Sequence, residues 1–209
     1  MSNGFFVTFE GPEGSGKSTQ VQKLARELSI RSIPCLFTRE PGGTSIADRI
    51  RSILLSNSTK ELSSRAELLM LEAARADHVD KVIKPALKEG KLVICDRFTD
   101  SSVAYQGGGR GIDEDFIASL NEFATGGLEP KLTLIFDIEP EEGLRRAGRQ
   151  GALQLDRLES EALDFHRRVR SSYIRLAQNR PDRYYLIDAS CSVDEVAQKV
   201  LSTILARWE

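Results

Sequence analysis

Residues Gly11 to Ser18 read Gly-Pro-Glu-Gly-Ser-Gly-Lys-Ser and meet the pattern G-x-x-x-x-G-K-[ST] at every fixed position. The chemistry this spacing serves is phosphate binding. Glycines let successive backbone N–H groups curl around phosphate oxygens. Lys17 adds a point charge for β and γ phosphates, and Ser18 a hydroxyl for Mg²⁺. The flanks agree. Phe5 to Phe9 is a short apolar, β-rich run, and Val21, Leu24, Ala25 and Leu28 recur at helical spacing. The motif therefore bridges an expected strand and an expected helix, whose first turn offers partial positive charge and unpaired N–H donors.

Other groups suited to a phosphorylated ligand follow. Leu92 to Asp96 is a hydrophobic strand ending in a carboxylate, placed either beside Mg²⁺ or merely at a strand end. Arg97 comes next, where a guanidinium can bridge two phosphates. Thr38-Arg39-Glu40-Pro41-Gly42-Gly43-Thr44 closes a second strand with a turn; Arg39 can reach a second anion or simply face solvent. Leu68, Leu71, Glu72 and Arg75 share one helix face, either a wall for a flat base or a core stripe with a snorkelling arginine. Ser102, Tyr105 and Gln106 supply hydroxyl, phenol and amide groups beside the run Gly107–Gly109, expected to be flexible. Arg145, Arg146, Arg149 and Arg157 crowd residues 143–159, which read as a lid that excludes water, or as a solvated charge run. Arg167, Arg168, Arg170 and Arg175 read as a solvated helix face.

These residues need a scaffold. With 209 residues, 40% of them hydrophobic and 29% charged, the chain suits a single α/β domain over residues 1–209. A net charge of -2 gives no reason to expect nucleic acid or a membrane surface as partner, so an anionic ligand needs a local basic cluster. No apolar run is long enough to cross a bilayer and no signal peptide is read, which points to the cytoplasm. Cys35, Cys95 and Cys191 read as reduced core or near-core residues, and His78 and His166 lie in polar helical contexts without metal-ligand spacing.

Strands are expected at Gly4–Phe9, Ile33–Thr38, Leu92–Cys95, Leu132–Asp137 and Tyr184–Ile187, apolar on both faces. Helical patterns lie between them: after the phosphate loop, over Ile46–Leu55, over Ser63–Leu87, on both sides of Gly107–Gly111, from Pro140, over Glu159–Asn179, and over Val193–Arg207. This alternation specifies a doubly wound α/β fold, a five-stranded parallel sheet of the P-loop NTPase type, with its ligand site beyond the carboxyl ends of the strands.

Taken in order, Phe9 to Thr19, Thr38 to Thr44, Asp96-Arg97-Phe98 leading into Ala104-Tyr105-Gln106-Gly107, and Asp156-Arg157-Leu158-Glu159 resemble the bacterial thymidylate kinase family over nearly the whole chain. The resemblance implies transfer of the γ-phosphoryl of ATP to dTMP with Mg²⁺, and a homodimer. It implies that the loop Gly11, Pro12, Glu13, Gly14, Ser15, Gly16, Lys17, Ser18 and Thr19 holds ATP, with Ser18 and Asp96 at the metal and Ala189 and Ser190 beside adenine. Glu13 would lie near the deoxyribose 3′-hydroxyl, and Arg39 and Arg97 would bind the dTMP phosphate. Arg75 would meet a thymine carbonyl, Ser102 and Gln106 would lie along the base, and Tyr105 would pack under the sugar. One subgroup of the family carries a basic residue inside the phosphate loop. This chain has Gly14 there and resembles the other subgroup, in which a lid arginine is the catalytic cation, Arg149 first and Arg157 second. Where many members stack an aromatic ring on thymine, this chain has Leu71.

Two other readings stand beside this one: a kinase for another nucleoside monophosphate, and a nucleotide-binding switch without transfer. A guanine-specific switch normally carries N-K-x-D. The nearest stretch here, Asn179-Arg180-Pro181-Asp182, has arginine for lysine and reads as a helix stop.

Overall fold

The structure is a computed structural model that describes residues 4–56, 62–149 and 157–208. Five strands form one sheet: β1 (Phe5–Glu10), β2 (Cys35–Arg39), β3 (Leu92–Asp96), β4 (Leu132–Asp137) and β5 (Tyr184–Asp188). Their order is β2-β3-β1-β4-β5 and every pairing is parallel. The register sets Phe9 beside Asp96, Asp96 beside Arg39, and Asp137 beside Asp188. Polar residues from four of the five strands thus meet at one edge.

Helices cover both faces. Val7, Phe9, Ile94, Leu134 and Phe136 pack under α1 (Lys17–Ile30) and α9 (Val193–Trp208) through Leu24, Leu28, Val196, Val200 and Ile204. On the opposite face Phe6, Val93 and Cys95 meet Val79, Ile83 and Phe98. Burying each such side chain contributes about 1.5–3 kcal/mol, so the alternate residues of these continuous apolar strands anchor both helical layers. The strands at the margins differ from expectation: β2 is half-buried to exposed and Leu186 of β5 is exposed, because each has only one sheet neighbour.

The expected long helix begins as proposed. Ser63 caps α3 (Ser64–His78) by accepting from the Ala66 N–H, and Thr44 caps α2 (Ser45–Leu55) in the same way from Ala47. It then changes register through a π-helical turn, Val79–Ile83, before α4 (Lys84–Lys88). Pro85 is the cause that the residues offer. It has no N–H for the carbonyl four residues back, and its ring crowds that turn.

A second π-helical stretch corrects the reading of the glycine run. Val103–Gly109 continues the short helix α5 (Thr99–Ser102) as a buried, wound segment, ahead of α6 (Glu114–Thr125). A Cβ on Gly109 would lie 2.4 Å from the Phe165 ring, and one on Gly108 2.9 Å from Ser172. The glycines are there so that α8 (Leu163–Asn179) can pack closely, not to provide flexibility. That helix starts later than Glu159, after a turn at residues 157–160. It ends at Asn179 as expected. Both histidines are buried, and two further expectations change: Cys191 is exposed, and Arg170 of the supposed solvated face clamps Asp137 at 2.7 and 3.0 Å.

Candidate active site: a phosphate loop opening into a cationic cleft

The phosphate loop links β1 to α1, with Gly11, Gly14 and Gly16 at φ 135°, 65° and 87°. These are backbone angles that side chains disfavour. Lys17 is only 7% exposed and folds back on the loop, donating to Gly11 O and Pro12 O at 2.9 Å and Ser15 Oγ at 3.1 Å. Burial, and then the neighbouring Arg97 charge, push its pKa down to about 8. Ser18 is exposed at the first turn of α1, its Oγ 3.5 Å from Asp96 Oδ2, with Thr19 half-buried beside it.

Gly14 explains why this loop holds no second cation beside Lys17. A Cβ there would sit 1.9 Å from the Gly143 carbonyl, and one on Gly143 would sit 2.4 Å from Glu13 O. Helix α7 (Pro140–Arg149) therefore presses its backbone directly on the loop and excludes any side chain at residue 14.

The loop after β3 is held by a carboxyl group that sequence reasoning did not single out as a site residue. Glu10, fully buried, accepts from the Phe98 N–H at 2.7 Å, Ser101 Oγ at 2.6 Å and Tyr173 OH at 2.9 Å. Burial, then the nearby Asp100 charge, raise its pKa to about 7. This grip fixes Arg97 at φ 71°, a left-handed conformation that costs a side-chain-bearing residue about 1–2 kcal/mol. Arg97 Nη2 then donates to Glu13 Oε1 at 2.7 Å, and the guanidinium lies 4.9 Å above the Tyr105 ring. Tyr105 OH donates to the same Glu13 oxygen at 2.9 Å. Burial works against Arg97's charge, but Glu13, Tyr105, Tyr173 and Asp96 together outweigh it and push the pKa well above the ordinary arginine value. Burial likewise opposes the charge of Glu13, whose pKa is nevertheless lowered by Arg97, Lys17 and Tyr105.

From this cluster a cleft of about 190 Å³ runs toward α3, bringing together Glu13, Ser18, Arg39, Leu71, Arg75, Asp96, Arg97, Ser102, Tyr105 and Gln106. Arg75 does not snorkel. It is 2% exposed, donates to Glu40 Oε2 at 2.8 Å, Asn121 Oδ1 at 2.7 Å and Phe98 O at 2.9 Å, and is paired with Glu72. Behind it, His78 Nδ1 donates to Glu40 Oε1 at 3.0 Å and Nε2 pairs with Thr38 Oγ1, so the buried group Glu40, His78 and Cys95 acts as a brace with both ring nitrogens engaged. Leu71 is a half-buried apolar floor. Arg39 is exposed at the rim, 3.5 Å from Asp48.

Other expected residues lie outside this cleft. Ala189 and Ser190, expected beside adenine, follow β5, where Arg146 of α7 donates to Ala189 O at 2.9 Å. Arg157 is buried, paired with Glu67 and donating to Leu54 O at 2.9 Å, so in this structure its charge is spent on α2 and α3 and not on the phosphate loop. Arg149 ends α7 and its side chain lies outside the described residues, as do residues 150–156 of the expected lid. Ser101 belongs to the hydroxyl-bearing stretch that the sequence marks for base and sugar recognition, and here it binds Glu10. Besides Glu10, the sequence reading passed over Glu67 and Tyr173 as site residues. The position of Glu10 at a strand end was a visible signal for the first. For the other two, which come from different helices, nothing local marked them.

A parallel sheet in this strand order, with a Gly-rich strand-to-helix loop, lysine and serine in place and a cationic cleft beside it, defines a phosphate-loop nucleotide-binding protein of the small-kinase type. Comparison with known proteins narrows that class. The family model described as thymidylate kinase matches residues 9–200. Similar proteins include a thymidylate kinase of Geotalea uraniireducens, 47% identical with 98% of each chain covered. Another is from Pseudomonas savastanoi pv. phaseolicola, 50% identical over 97% of this chain and 95% of that one. A solved thymidylate kinase from Ehrlichia chaffeensis superposes with a TM-score of 0.78 at 35% identity, covering 97% of this chain and 99% of that one. The chain belongs to the thymidylate kinase family.

Proposed function

We propose that the protein transfers the γ-phosphoryl group of ATP to a phosphate oxygen of dTMP, giving ADP and dTDP. The observation that carries this reading is the cleft that joins the phosphate loop to a small pocket with an apolar floor and polar walls, lined also by Arg39 and Arg97. ATP phosphates would displace Gly11 O, Pro12 O and Ser15 Oγ from Lys17. Arg97 and Arg39 would hold the acceptor phosphate, while Leu71, Arg75, Ser102 and Gln106 would surround the base. The acceptor is already a phosphate oxygen, so the work is positioning and charge neutralisation, without a general base. Glu13 and Tyr105, joined to Arg97, would bound the sugar and disfavour a 2′-hydroxyl.

The residues fit a magnesium ion. Asp96 Oδ1 is buried without a hydrogen-bond partner, and a serine hydroxyl with a carboxylate is the oxygen donor set this metal takes. Ser18 and Asp96 would hold it, and when bound it would neutralise phosphate charge. Arg149 is our choice for the lid cation, since Arg157 is already committed to Glu67.

ADP formation measured with dTMP, dUMP, dCMP, AMP and GMP tests the assignment. The expected result is strong preference for dTMP; preference for AMP or GMP, or binding of ATP without transfer, would replace it with one of the alternatives. We further propose a homodimer. Leu69 of α3 and Phe116 and Phe123 of α6 are exposed, and these two helices are neighbours. Light scattering should give twice the 23.2 kDa chain mass; a monomer at micromolar concentration rejects it.

A further inference from the structure

The polar atoms that face the base pocket have a polarity set from behind. Gln106 and Ser102 both line the cleft, and each is bonded to a buried carboxylate one layer further out. Gln106 Nε2 donates to Glu67 Oε1 at 2.8 Å. Glu67 is 1% exposed and paired with Arg110 and Arg157. Burial pushes its pKa up, but the Gln106 amide and the two guanidinium groups outweigh that and hold it below the ordinary value. An ionised carboxylate only accepts hydrogen bonds, so Gln106 must turn its NH₂ outward to Glu67 and its carbonyl oxygen toward the cleft. Ser102 behaves alike. It spends its one proton on Glu72 Oε1 at 3.0 Å and accepts from Arg75 Nη1 at 3.0 Å, leaving only acceptor capacity.

Arg75 is fixed in the opposite sense. Nε is taken by Glu40, Nη1 by Glu72, Ser102 and Asn121, and Nη2 by the Phe98 carbonyl. A guanidinium has five N–H groups, so one on Nη2 remains to donate into the cleft. The wall therefore shows a donor beside acceptors. A pyrimidine with a 4-oxo group and N3–H matches that pattern. A 4-amino pyrimidine, with N3 as acceptor, presents the reverse.

We infer that Glu67 and Glu72, neither of which touches the base, are the positioning residues that make this pocket select 4-oxo over 4-amino pyrimidine monophosphates, through Gln106 and Ser102. The inference rests on the dTMP reading above. A partner-unsatisfying mismatch at a buried polar site costs far more than a lost methyl contact, which is why a fixed polarity discriminates well.

The test compares dTMP with 5-methyl-dCMP, which has the same shape and differs only along this edge. Wild-type protein should favour dTMP by ~10³-fold or more in kcat/KM. In Glu67→Gln the new amide can donate to Gln106, whose own amide is then free to turn over. The ratio of kcat/KM for 5-methyl-dCMP to dTMP should rise ~10-fold or more, since one mispaired hydrogen bond is worth about that factor. Adding Gln106→Glu to Glu67→Gln restores an acceptor in the cleft and should bring the ratio back toward the wild-type value, which a merely structural role for Glu67 would not do. Loss of Arg157's partner would slow both substrates alike and cancel in the ratio. If Glu67→Gln does not fold, Glu72→Ala, which removes the acceptor of the Ser102 proton and frees that hydroxyl to donate into the cleft, reports on the same mechanism, with the same direction expected. A folded variant whose ratio stays within about twofold of wild type overturns the inference. Wild-type protein that phosphorylates dTMP but accepts 5-methyl-dCMP equally overturns it too. Wild-type protein inactive on dTMP defeats the functional reading itself, and the inference with it.

Discussion

Lys17→Ala is expected to lower kcat for ATP-dependent transfer by ~10²-fold or more, the scale of removing one preorganised charge contact from a developing transition state. The geometry makes the prediction specific. The ammonium is buried and already shares its protons among Gly11 O, Pro12 O and Ser15 Oγ, so the loop is shaped around it before any nucleotide arrives. When phosphate oxygens take over those three contacts, the lysine keeps its charge satisfied throughout, and little reorganisation remains for the chemical step. Alanine removes the cation and leaves two loop carbonyls without their donor, so loop order and catalysis suffer together. Lys17→Met keeps the bulk of the stem but not the donor; it should recover the packing of the buried stem but neither the loop contacts nor turnover.

The lowered pKa, about 8, adds a second signature. A free lysine would stay protonated to pH 10, whereas here part of the protein carries neutral Lys17 at pH 8.5. Phosphate favours the charged form, so ATP binding at that pH should take up a proton. Calorimetry in buffers of different ionisation enthalpy would read this directly, and the KM for ATP should climb above about pH 8. The uptake should vanish in Lys17→Met. Normal turnover in either variant would remove Lys17 from the mechanism.

Arg97→Ala should be at least as damaging, with a loss in kcat of ~10²-fold or more. Two effects combine. The guanidinium proposed to bridge donor and acceptor phosphates is gone, and Glu13, which it neutralises at 2.7 Å, is left as a bare negative charge that would face the same phosphates. The second effect can be isolated. Adding Glu13→Gln to Arg97→Ala should recover part of the loss, and a double-mutant cycle on kcat/KM should therefore be non-additive. Arg97→Lys should not rescue fully, since an ammonium cannot hold Glu13, lie over the Tyr105 ring and span two phosphates in one plane. Additive behaviour of the two sites would show that the Glu13–Arg97 pair has no part in transfer.

The chain sequence carried the scaffold because its signals are local. Continuous apolar strands between amphipathic segments define a parallel sheet wherever they occur, and the phosphate loop fixes its own conformation through its glycines. Strand ends were legible to within about two residues, and Glu10, Arg39, Asp96 and Asp137 could be placed at one edge from the topology rule alone. The candidate contacts of Leu71, Arg75, Ser102, Tyr105 and Gln106 came from resemblance, and the structure gathers these residues along one cleft.

What the residues alone left open were matters of distance between remote segments. Arg157 reads as a mobile cation because arginines crowd residues 143–159; only its meeting with Glu67, 90 positions away, shows that its charge is spent. The glycine run reads as a flexible loop until Phe165 and Ser172 of α8 are seen against it. The identity of Gly14 is explained by the backbone of Gly143 pressed on it, a contact no local pattern records. Periodicity and motif spacing report what a segment does by itself. Hydrogen-bond polarity, burial of charge and close backbone approach belong to pairs of segments, and they exist only once the sheet has brought those segments together.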